Sequence, residues 1–295
     1  MATLPDDESA VTPGPPQLDS SQQAVLALAD DASATIIGAP GTGKTTTLVE
    51  LAADRVLNRG WSPNELLVLT TGRLAATRLR DRLALRLARP TTGPLARTVN
   101  SLAFDIVGHA AREAGRTPPR LITGGEQDND IAEMLAGHLE DGTGPAWPAH
   151  LGPEVRRLRG FRTELRELMM RATEYGVTPQ RLRELGERLD RPEWVAAASF
   201  ISEYRQVLER LRPDQLDSTE LVQQAIEIVA DGVLSETVSR LKLVVVDDLQ
   251  EVTQSTLSLL RALAARGVAV IGFGDPDIAA NAFRGGEPDA PGRLA

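Results

Sequence analysis

Short apolar segments alternate with amphipathic segments near both ends of this chain. The segments at 34–37, 66–70, 243–246 and 268–271 are rich in apolar residues and bounded by polar or Gly-rich turns, and a further short strand is predicted near 96–99. Unbroken apolar runs of this length are typical of strands buried on both faces of a parallel sheet. The segments between them have helical spacing, so the pattern predicts an α/β fold with helices flanking a parallel sheet.

The middle of the chain, from about residue 117 to 240, has a different pattern. Strand signals disappear there and apolar residues recur with the 3.6-residue period of a helix. One predicted helical face carries Phe161, Leu165, Leu168 and Met169. A second, in a helix that begins at Pro192, carries Trp194, Phe200, Tyr204, Val207 and Leu211.

These changes of pattern predict the domain organisation. Residues 1–16, with four prolines and an acidic cluster, are expected to form a disordered tail. Residues 17–116 and 241–295 are expected to build one sheet domain, and residues 117–240 an all-helical subdomain inserted into it. Within the sheet domain, Asp19 or Ser20 can cap a first helix, with Gln22 on its first turn.

The first predicted strand leads into a phosphate-binding sequence. Residues 38–45 read GAPGTGKT and fit the G-x-x-x-x-G-K-[ST] pattern, with a helix start directly after it. Glycines in the loop let backbone N–H groups point at phosphate oxygens, Lys44 reaches the β- and γ-phosphates, and the Thr45 hydroxyl ligates Mg²⁺. We predict a nucleotide site formed by Gly38, Ala39, Pro40, Gly41, Thr42, Gly43, Lys44, Thr45 and Thr46.

Composition strengthens this interpretation. The chain has 32 basic residues, and only Lys44 and Lys242 are lysines. A forked guanidinium does not replace a compact ammonium beside a phosphate, which explains a lysine at position 44. With no cysteine, the chain has no disulfide or Cys-ligated metal, and its net charge of −9 confines any nucleic-acid contact to local patches. No apolar run approaches a membrane span and no signal peptide is evident, so a cytoplasmic protein without membrane contact is expected.

The strand at 243–246 ends in two carboxylates, Asp247 and Asp248. In a P-loop site the first such acid holds Mg²⁺ and the second orients the attacking water. A helix after the strand at 66–70 carries a one-sided basic run: Arg73, Arg78, Arg80, Arg82, Arg86 and Arg89. This run is either a solvated face or, at the carboxyl end of a strand, a surface that contacts a phosphate backbone.

The order of these motifs resembles the first motor lobe of superfamily 1 DNA helicases of the UvrD/Rep type. The helical insert is similar to the 1B subdomain of actinobacterial members, which include AdnAB-type helicase–nuclease subunits. The matching segments are residues 18–22 (Q motif), 38–45 (motif I), 67–76 (Ia), 98–103 (Ic), 247–251 (II) and 274–286 (III).

The resemblance implies a RecA-like P-loop NTPase sheet, lobe 1A, with the helical 1B subdomain inserted in it. It implies ATP and Mg²⁺ as cofactors, with Gln22 against the adenine. Lys44, Asp247 and Asp248 would be catalytic, and Thr45 and Asp247 would serve the metal.

It also implies an ATP-dependent helicase or translocase that acts on single-stranded DNA, in DNA repair or recombination. Turnover would require a second RecA-like lobe or a partner motor or nuclease subunit, so activity of this chain alone is doubtful. The residues expected to touch DNA are Arg73, Asn100, Ser101, Phe283 and Arg284, with Phe283 offering a face for base stacking.

The chain departs from the family pattern at several positions. Asp248 stands where a Glu is usual, Ile278 replaces the motif III Gln, Asn281 replaces a tyrosine and Thr71 replaces an aromatic residue. We expect nucleotide binding with weakened hydrolysis and stepping. The alternatives are a non-hydrolysing scaffold subunit that grips DNA or a partner, and an unrelated P-loop NTPase such as a kinase or a AAA-type ATPase.

Overall fold

The structure is a computed structural model and describes residues 16–278. Its main sheet has five parallel strands among these residues, in the order β1-β7-β6-β2-β3. The predicted α/β fold is therefore confirmed. The five strands are β1 (Ala34–Ile37), β2 (Leu66–Thr70), β3 (Ala96–Thr98), β6 (Leu243–Val246) and β7 (Ala269–Gly274).

The strand order shows that the two ends of the chain build one sheet. β6 and β7 lie between β1 and β2, so Val68 pairs with Val245 and Thr35 pairs with Gly272. The carboxyl ends of β1, β2 and β6 meet at one edge because all strands are parallel. That edge is where open α/β sheets bind ligands.

Helices cover both faces of the sheet. Val244 and Val246 of β6 face a core shared with α4 and α12, whereas Leu243 and Val245 face a core shared with α2 and α3. This division follows from the two-residue period of a strand. The helices of these layers are α1 (Ser20–Leu26), α2 (Lys44–Ala53), α3 (Arg73–Leu87), α4 (Val99–Glu113), α10 (Ser218–Asp231), α11 (Glu236–Ser239) and α12 (Gln254–Ala264).

The middle of the chain has a separate apolar core centred on Phe200, which is fully buried. Trp147 packs edge-on against Phe161 at 5.2 Å between ring centroids. The helices of this part are α5 (Gly124–Asp141), α6 (Pro153–Arg156), α7 (Arg159–Glu174), α8 (Pro179–Arg188) and α9 (Pro192–Leu211).

The predicted face of α7 is confirmed, since all four of its residues pack in this core. The predicted face of α9 is only partly right. Phe200 and Tyr204 are buried, but Val207 and Leu211 are 40% and 73% exposed. Leu208, one turn after Tyr204, packs against the core instead, so the contact face turns away from those two side chains.

The chain enters and leaves this helical region side by side. Two short parallel strands, β4 (Arg120–Leu121) and β5 (Gln215–Leu216), pair there, so the predicted all-helical insert also contains a strand pair. α10 lies inside the predicted 117–240 insert, yet it packs on α4 and α12 in the core of the main sheet. The domain boundaries remain a prediction, as does the tail, of which residues 1–15 lie outside the described part.

Within residues 16–278, the structure contains no helix that is both long and apolar enough to cross a membrane.

Candidate functional site

The predicted phosphate loop, residues 38–43, connects β1 to α2. The loop is fixed to the sheet because the Gly38 N–H donates to the Gly274 carbonyl of β7 at 3.2 Å. Gly41 and Gly43 have φ angles of 80° and 84°, in the left-handed region that favours glycine. A side chain at either position would strain the turn that delivers the chain to the start of α2.

The N-terminus of α2 is suited to an anion. Among the described residues no side chain caps it, so the N–H groups of its first turn stay available at the loop. The Lys44 ammonium lies over the same loop, where it donates to the carbonyls of Gly38 at 2.6 Å and Ala39 at 3.0 Å. Helix N–H groups and an ammonium on one loop form a donor set that fits the phosphates of a nucleotide.

Gln22 is held beside this loop by a capping box at the start of α1. Its side-chain carbonyl accepts from the Asp19 N–H at 3.0 Å, and its amide group donates to the Thr42 carbonyl at 3.3 Å. A Cβ on Gly43 would lie 2.6 Å from the Gln22 amide nitrogen, so this approach also requires glycine. The structure therefore places Gln22 beside the predicted phosphate loop, and its contact with adenine remains a prediction.

A buried arginine, not singled out in the sequence, positions α1. Arg55 is fully buried in the π-helical turn Asp54–Asn58 that follows α2, and it donates to the carbonyls of Leu26 and Leu28 at 3.0 and 2.9 Å. Burial lowers the pKa of Arg55, and nearby acidic groups oppose this shift. The contacts tie the end of α1 to the end of α2.

The predicted acidic pair follows β6. The Asp247 N–H donates to the Leu69 carbonyl at 2.9 Å, and the residue is 7% exposed. Burial, reinforced by the neighbouring Asp248 charge, raises the pKa of Asp247 to about 6, while Lys44 and Arg82 oppose the shift. Asp248 has a φ of 54°, a left-handed conformation that Asp tolerates better than most residues.

Two polar side chains near this pair were not predicted as site residues. Gln250 and Asp275 are both buried, and the Gln250 side-chain carbonyl accepts from the Asp275 N–H at 3.0 Å. A Cβ on Gly274 would lie 2.9 Å from that oxygen. This contact joins the turn after β6 to the end of β7. Gln250 falls within the segment assigned to motif II and Asp275 within that assigned to motif III, and this position in the motifs could have identified them as site residues.

These elements enclose an open cleft of about 400 Å³. Ile278, which replaces the usual Gln, also lines it and is 48% exposed. No cluster of three or more acidic or His side chains in residues 16–278 is arranged to hold a metal ion. Mg²⁺ is commonly held by one or two protein ligands together with phosphates and water, so this finding does not conflict with the predicted pair, Thr45 and Asp247. The lining residues are Pro40, Gly41, Gly43, Lys44, Thr45, Thr46, Asp248, Gln250, Asp275 and Ile278.

The predicted DNA contacts lie elsewhere on the same sheet edge. Arg73 begins α3 after β2, and Asn100 and Ser101 lie in the first turn of α4 after β3; all three are exposed. Asn100 also lines a second cleft, of about 290 Å³, between the sheet edge and α7. Phe283 and Arg284 lie outside the described residues, as does Asn281.

The basic run on α3 is divided between two surroundings. Arg86 forms a bidentate ion pair with the buried Glu50 of α2, at 2.8 and 2.9 Å, and Arg82 donates to the Thr46 hydroxyl at 3.4 Å. Contact of the run with a phosphate backbone remains a prediction, and two of its arginines, Arg82 and Arg86, contact α2. They face the helix that follows the phosphate loop because α2 and α3 pack side by side.

The parallel sheet, the glycine loop at the start of α2 and the acidic pair after β6 together define a P-loop NTPase of the RecA-like type. The family model for the UvrD/REP helicase N-terminal domain matches residues 18–291, so the chain belongs to that family. No curated protein matches the chain.

Family membership implies a motor domain of the ATP-dependent DNA helicase class, which uses ATP, typically with Mg²⁺, and binds DNA. It also excludes the kinase and AAA-type alternatives.

Proposed function

We propose that this chain is the ATP-binding motor lobe of a helicase or translocase that moves on single-stranded DNA in repair or recombination. The observation that carries the proposal is the cleft that Lys44, Thr45 and Asp248 line together, with the buried Asp247 next to Asp248 in the chain and within reach of the Lys44 charge. The exposed Arg73, Asn100 and Ser101 lie at the same edge of the sheet as this cleft. This arrangement suits a protein in which the bound nucleotide controls the affinity for DNA.

In the proposed mechanism each residue of the cleft has a separate task. The N–H groups of the loop and the Lys44 ammonium bind and orient the phosphates, and the Thr45 hydroxyl and Asp247 hold the metal. When bound, Mg²⁺ neutralises charge on the phosphates. Asp248 orients the attacking water, and Gln250 fixes the end of β7 against the turn that carries Asp248.

We propose further that turnover requires a second RecA-like lobe, since phosphoryl transfer in P-loop motors commonly needs an additional arginine at the γ-phosphate. The second lobe or a partner motor or nuclease subunit would supply it. Two segments of the helical region, residues 161–168 and 191–194, support a likeness to AdnAB-type helicase–nuclease subunits.

The experiment that tests this function measures ATP binding and ATP turnover separately, each with and without single-stranded DNA. Tight binding with turnover stimulated by DNA is the expected result for a protein in which the site is complete. Absence of ATP binding by the folded chain would overturn the proposal at its foundation.

A second candidate is a non-hydrolysing subunit that binds ATP and grips DNA. Asp248 is one methylene shorter than the usual Glu, and Ile278 at the rim of the cleft has no side-chain hydrogen-bonding group. ATP binding without turnover, even in the presence of a second lobe and DNA, would favour this candidate.

A further inference from the structure

The arrangement of α2 and α3 gives one arginine a role that its sequence position does not indicate. Two contacts join these helices in step: Arg82 with Thr46, and Arg86 with Glu50. The partners are four residues apart on both helices, so they form neighbouring rungs along one helix–helix contact. The rung at Arg82 is the one nearest the phosphate loop.

The two rungs differ in chemistry. Arg86 is matched by the carboxylate of Glu50, a bidentate partner that satisfies the guanidinium fork. Arg82 meets only the neutral Thr46 hydroxyl among the hydrogen bonds described, and the residue is exposed. The contact between Arg86 and Glu50 is therefore accounted for as a structural ion pair. The contact between Arg82 and Thr46 leaves the charge of Arg82 without a matching acid.

The surroundings of Arg82 indicate that its charge acts near the nucleotide cleft. Thr46 lines the nucleotide cleft and belongs to the first turn of α2, where a bound phosphate accepts backbone N–H groups. Arg82 is also close enough to Asp247 for its charge to act on that carboxylate. The Arg82 guanidinium thus contacts a residue of the first turn of α2 that lines the cleft.

We propose that Arg82 is a second cationic ligand for the nucleotide phosphates, acting beside Lys44. The proposal rests on the ATP-binding function proposed above and adds a phosphate ligand supplied by α3. Because α3 begins at Arg73 on the predicted DNA edge, the same helix then contacts DNA at its start and nucleotide through Arg82, nine residues later. A rigid helix with both contacts joins the two sites directly.

The test is equilibrium binding of ATP, ADP and adenosine to the folded chain, compared between wild type and Arg82→Met. We expect the affinity for ATP and ADP to fall about tenfold, the size of one charge-assisted hydrogen bond to an anion, with adenosine affinity unchanged. Arg82→Lys should restore part of the loss, since it keeps the charge without the fork.

Two controls separate this role from a structural one. Arg80→Met removes an arginine whose described contacts stay within α3, so it should bind ATP like wild type. Arg86→Met should lower the midpoint of thermal unfolding, because it leaves Glu50 unpaired, but should change the ATP affinity of the folded protein less than twofold.

The outcomes also separate the inference from the proposed function. If wild type fails to bind ATP, the proposed function itself fails. If Arg82→Met binds ATP and ADP as tightly as wild type, only the role of Arg82 is overturned. A loss of single-stranded DNA affinity in that variant with unchanged ATP affinity would return Arg82 to the predicted DNA surface.

Discussion

At the scale of single residues, Lys242 provides a matched control for experiments on Lys44. Lys44 and Lys242 are the two lysines of the sequence. Lys44 lies over the phosphate loop, whereas Lys242, just before β6, pairs with Glu65 at 2.9 Å and lies over the Trp61 ring. Any effect of removing a lysine as such can therefore be separated from the effect of removing the phosphate ligand.

We predict that Lys44→Ala lowers ATP affinity about tenfold or more and abolishes turnover, because the loop loses its ammonium. Lys242→Ala should leave ATP affinity within about twofold of wild type, since Lys242 pairs with Glu65 at the amino end of β6, whereas the cleft lies at the carboxyl end. Titration with a fluorescent ATP analogue measures the affinity, and an assay on a protein that carries both lobes measures the turnover. Equal behaviour of the two variants would contradict the assignment of the loop.

Asp247 predicts an unusual dependence of stability on pH. Its pKa is raised from 3.8 to about 6, so ionising this carboxylate is harder in the folded state than in the unfolded chain. The fold therefore carries no penalty below pH 3.8, an increasing penalty between the two values, and the full penalty above pH 6.

We predict that Asp247→Asn raises the free energy of unfolding above pH 7, by up to about 3 kcal/mol, because Asn has no charge to bury. The gain should shrink as pH falls through 6 toward 4, while ATP turnover is lost at every pH. Urea unfolding of both proteins between pH 4.5 and 8 measures the difference. A gain that does not vary with pH would show that burial of the charge is not its cause.

Asp248 and Ile278 test whether the departures from the family pattern limit hydrolysis. In a protein that carries both lobes, Asp248→Glu with Ile278→Gln should raise turnover about tenfold, because ångström-scale placement of the water controls the rate. Glu tolerates the left-handed conformation at position 248 less well than Asp, so a stability loss of about 1 kcal/mol should accompany the gain. Unchanged turnover would mean that another group limits the reaction.

At the scale of elements, the helical region is coupled to the helix that follows the acidic pair. Glu174, at the end of α7, is buried, and one of its oxygens accepts from the backbone N–H and the hydroxyl of Ser255 at 2.7 and 2.9 Å. Ser255 lies in the first turn of α12. An acceptor from the inserted region thus satisfies a donor at the start of a helix of the main sheet layer.

We predict that Glu174→Ala lowers the free energy of unfolding by about 1–3 kcal/mol, because two donors of Ser255 lose their buried acceptor. Glu174→Gln keeps an acceptor at the same place and should lose clearly less. Urea unfolding monitored by tryptophan fluorescence compares them. If the alanine and glutamine variants were equally stable, the contact would not contribute through its hydrogen bonds.

The element scale also shows which sequence patterns were sufficient. Each of the five predicted sheet strands matches an observed strand within a few residues. The pattern is clearest for β2, β6 and β7, because a strand buried on both faces leaves an apolar run that few other elements contain. The prediction that Val207 and Leu211 of α9 are buried was wrong. Helical spacing of apolar residues does not show which of them a neighbouring element covers. The placement of α10 on the main sheet likewise depends on packing.

At the scale of the whole molecule, the structure separates the two predicted binding regions. Nucleotide residues gather at the ends of β1 and β6, and the exposed Arg73 and Asn100 lie at the ends of β2 and β3. We predict that Arg73→Met with Asn100→Ala lowers single-stranded DNA affinity at least about fivefold and leaves ATP affinity unchanged. Fluorescence anisotropy with a labelled oligonucleotide at two salt concentrations measures the change and its electrostatic share.

The DNA test has a clear contrary result. An unchanged DNA affinity would move the DNA surface away from this part of the sheet edge, while a parallel loss of ATP affinity would mean that the variant disturbs the fold. The comparison with Arg80→Met, which alters the basic run on the same helix, controls for a general loss of positive charge.

The sequence by itself determined the fold class, the phosphate loop and the acidic pair. These features can be recognised from residues that are close together in the sequence. The loop needs glycine at fixed positions with a lysine directly after it, and the two carboxylates must follow a buried strand. Local rules of this kind can be read along the chain. The order of the motifs added the helicase family, which the match over residues 18–291 confirms.

Only the tertiary structure decided which neighbours those residues have. In the structure, Arg82 and Arg86 of the basic run contact α2, and the side chain of Gln250 contacts the end of β7. Glu174 contacts Ser255 of α12, which is 81 residues later in the sequence. The physical reason is that such contacts depend on the packing of elements remote in sequence. Burial, which raises the pKa of Asp247, arises in the same way, since it is a property of the assembled layers.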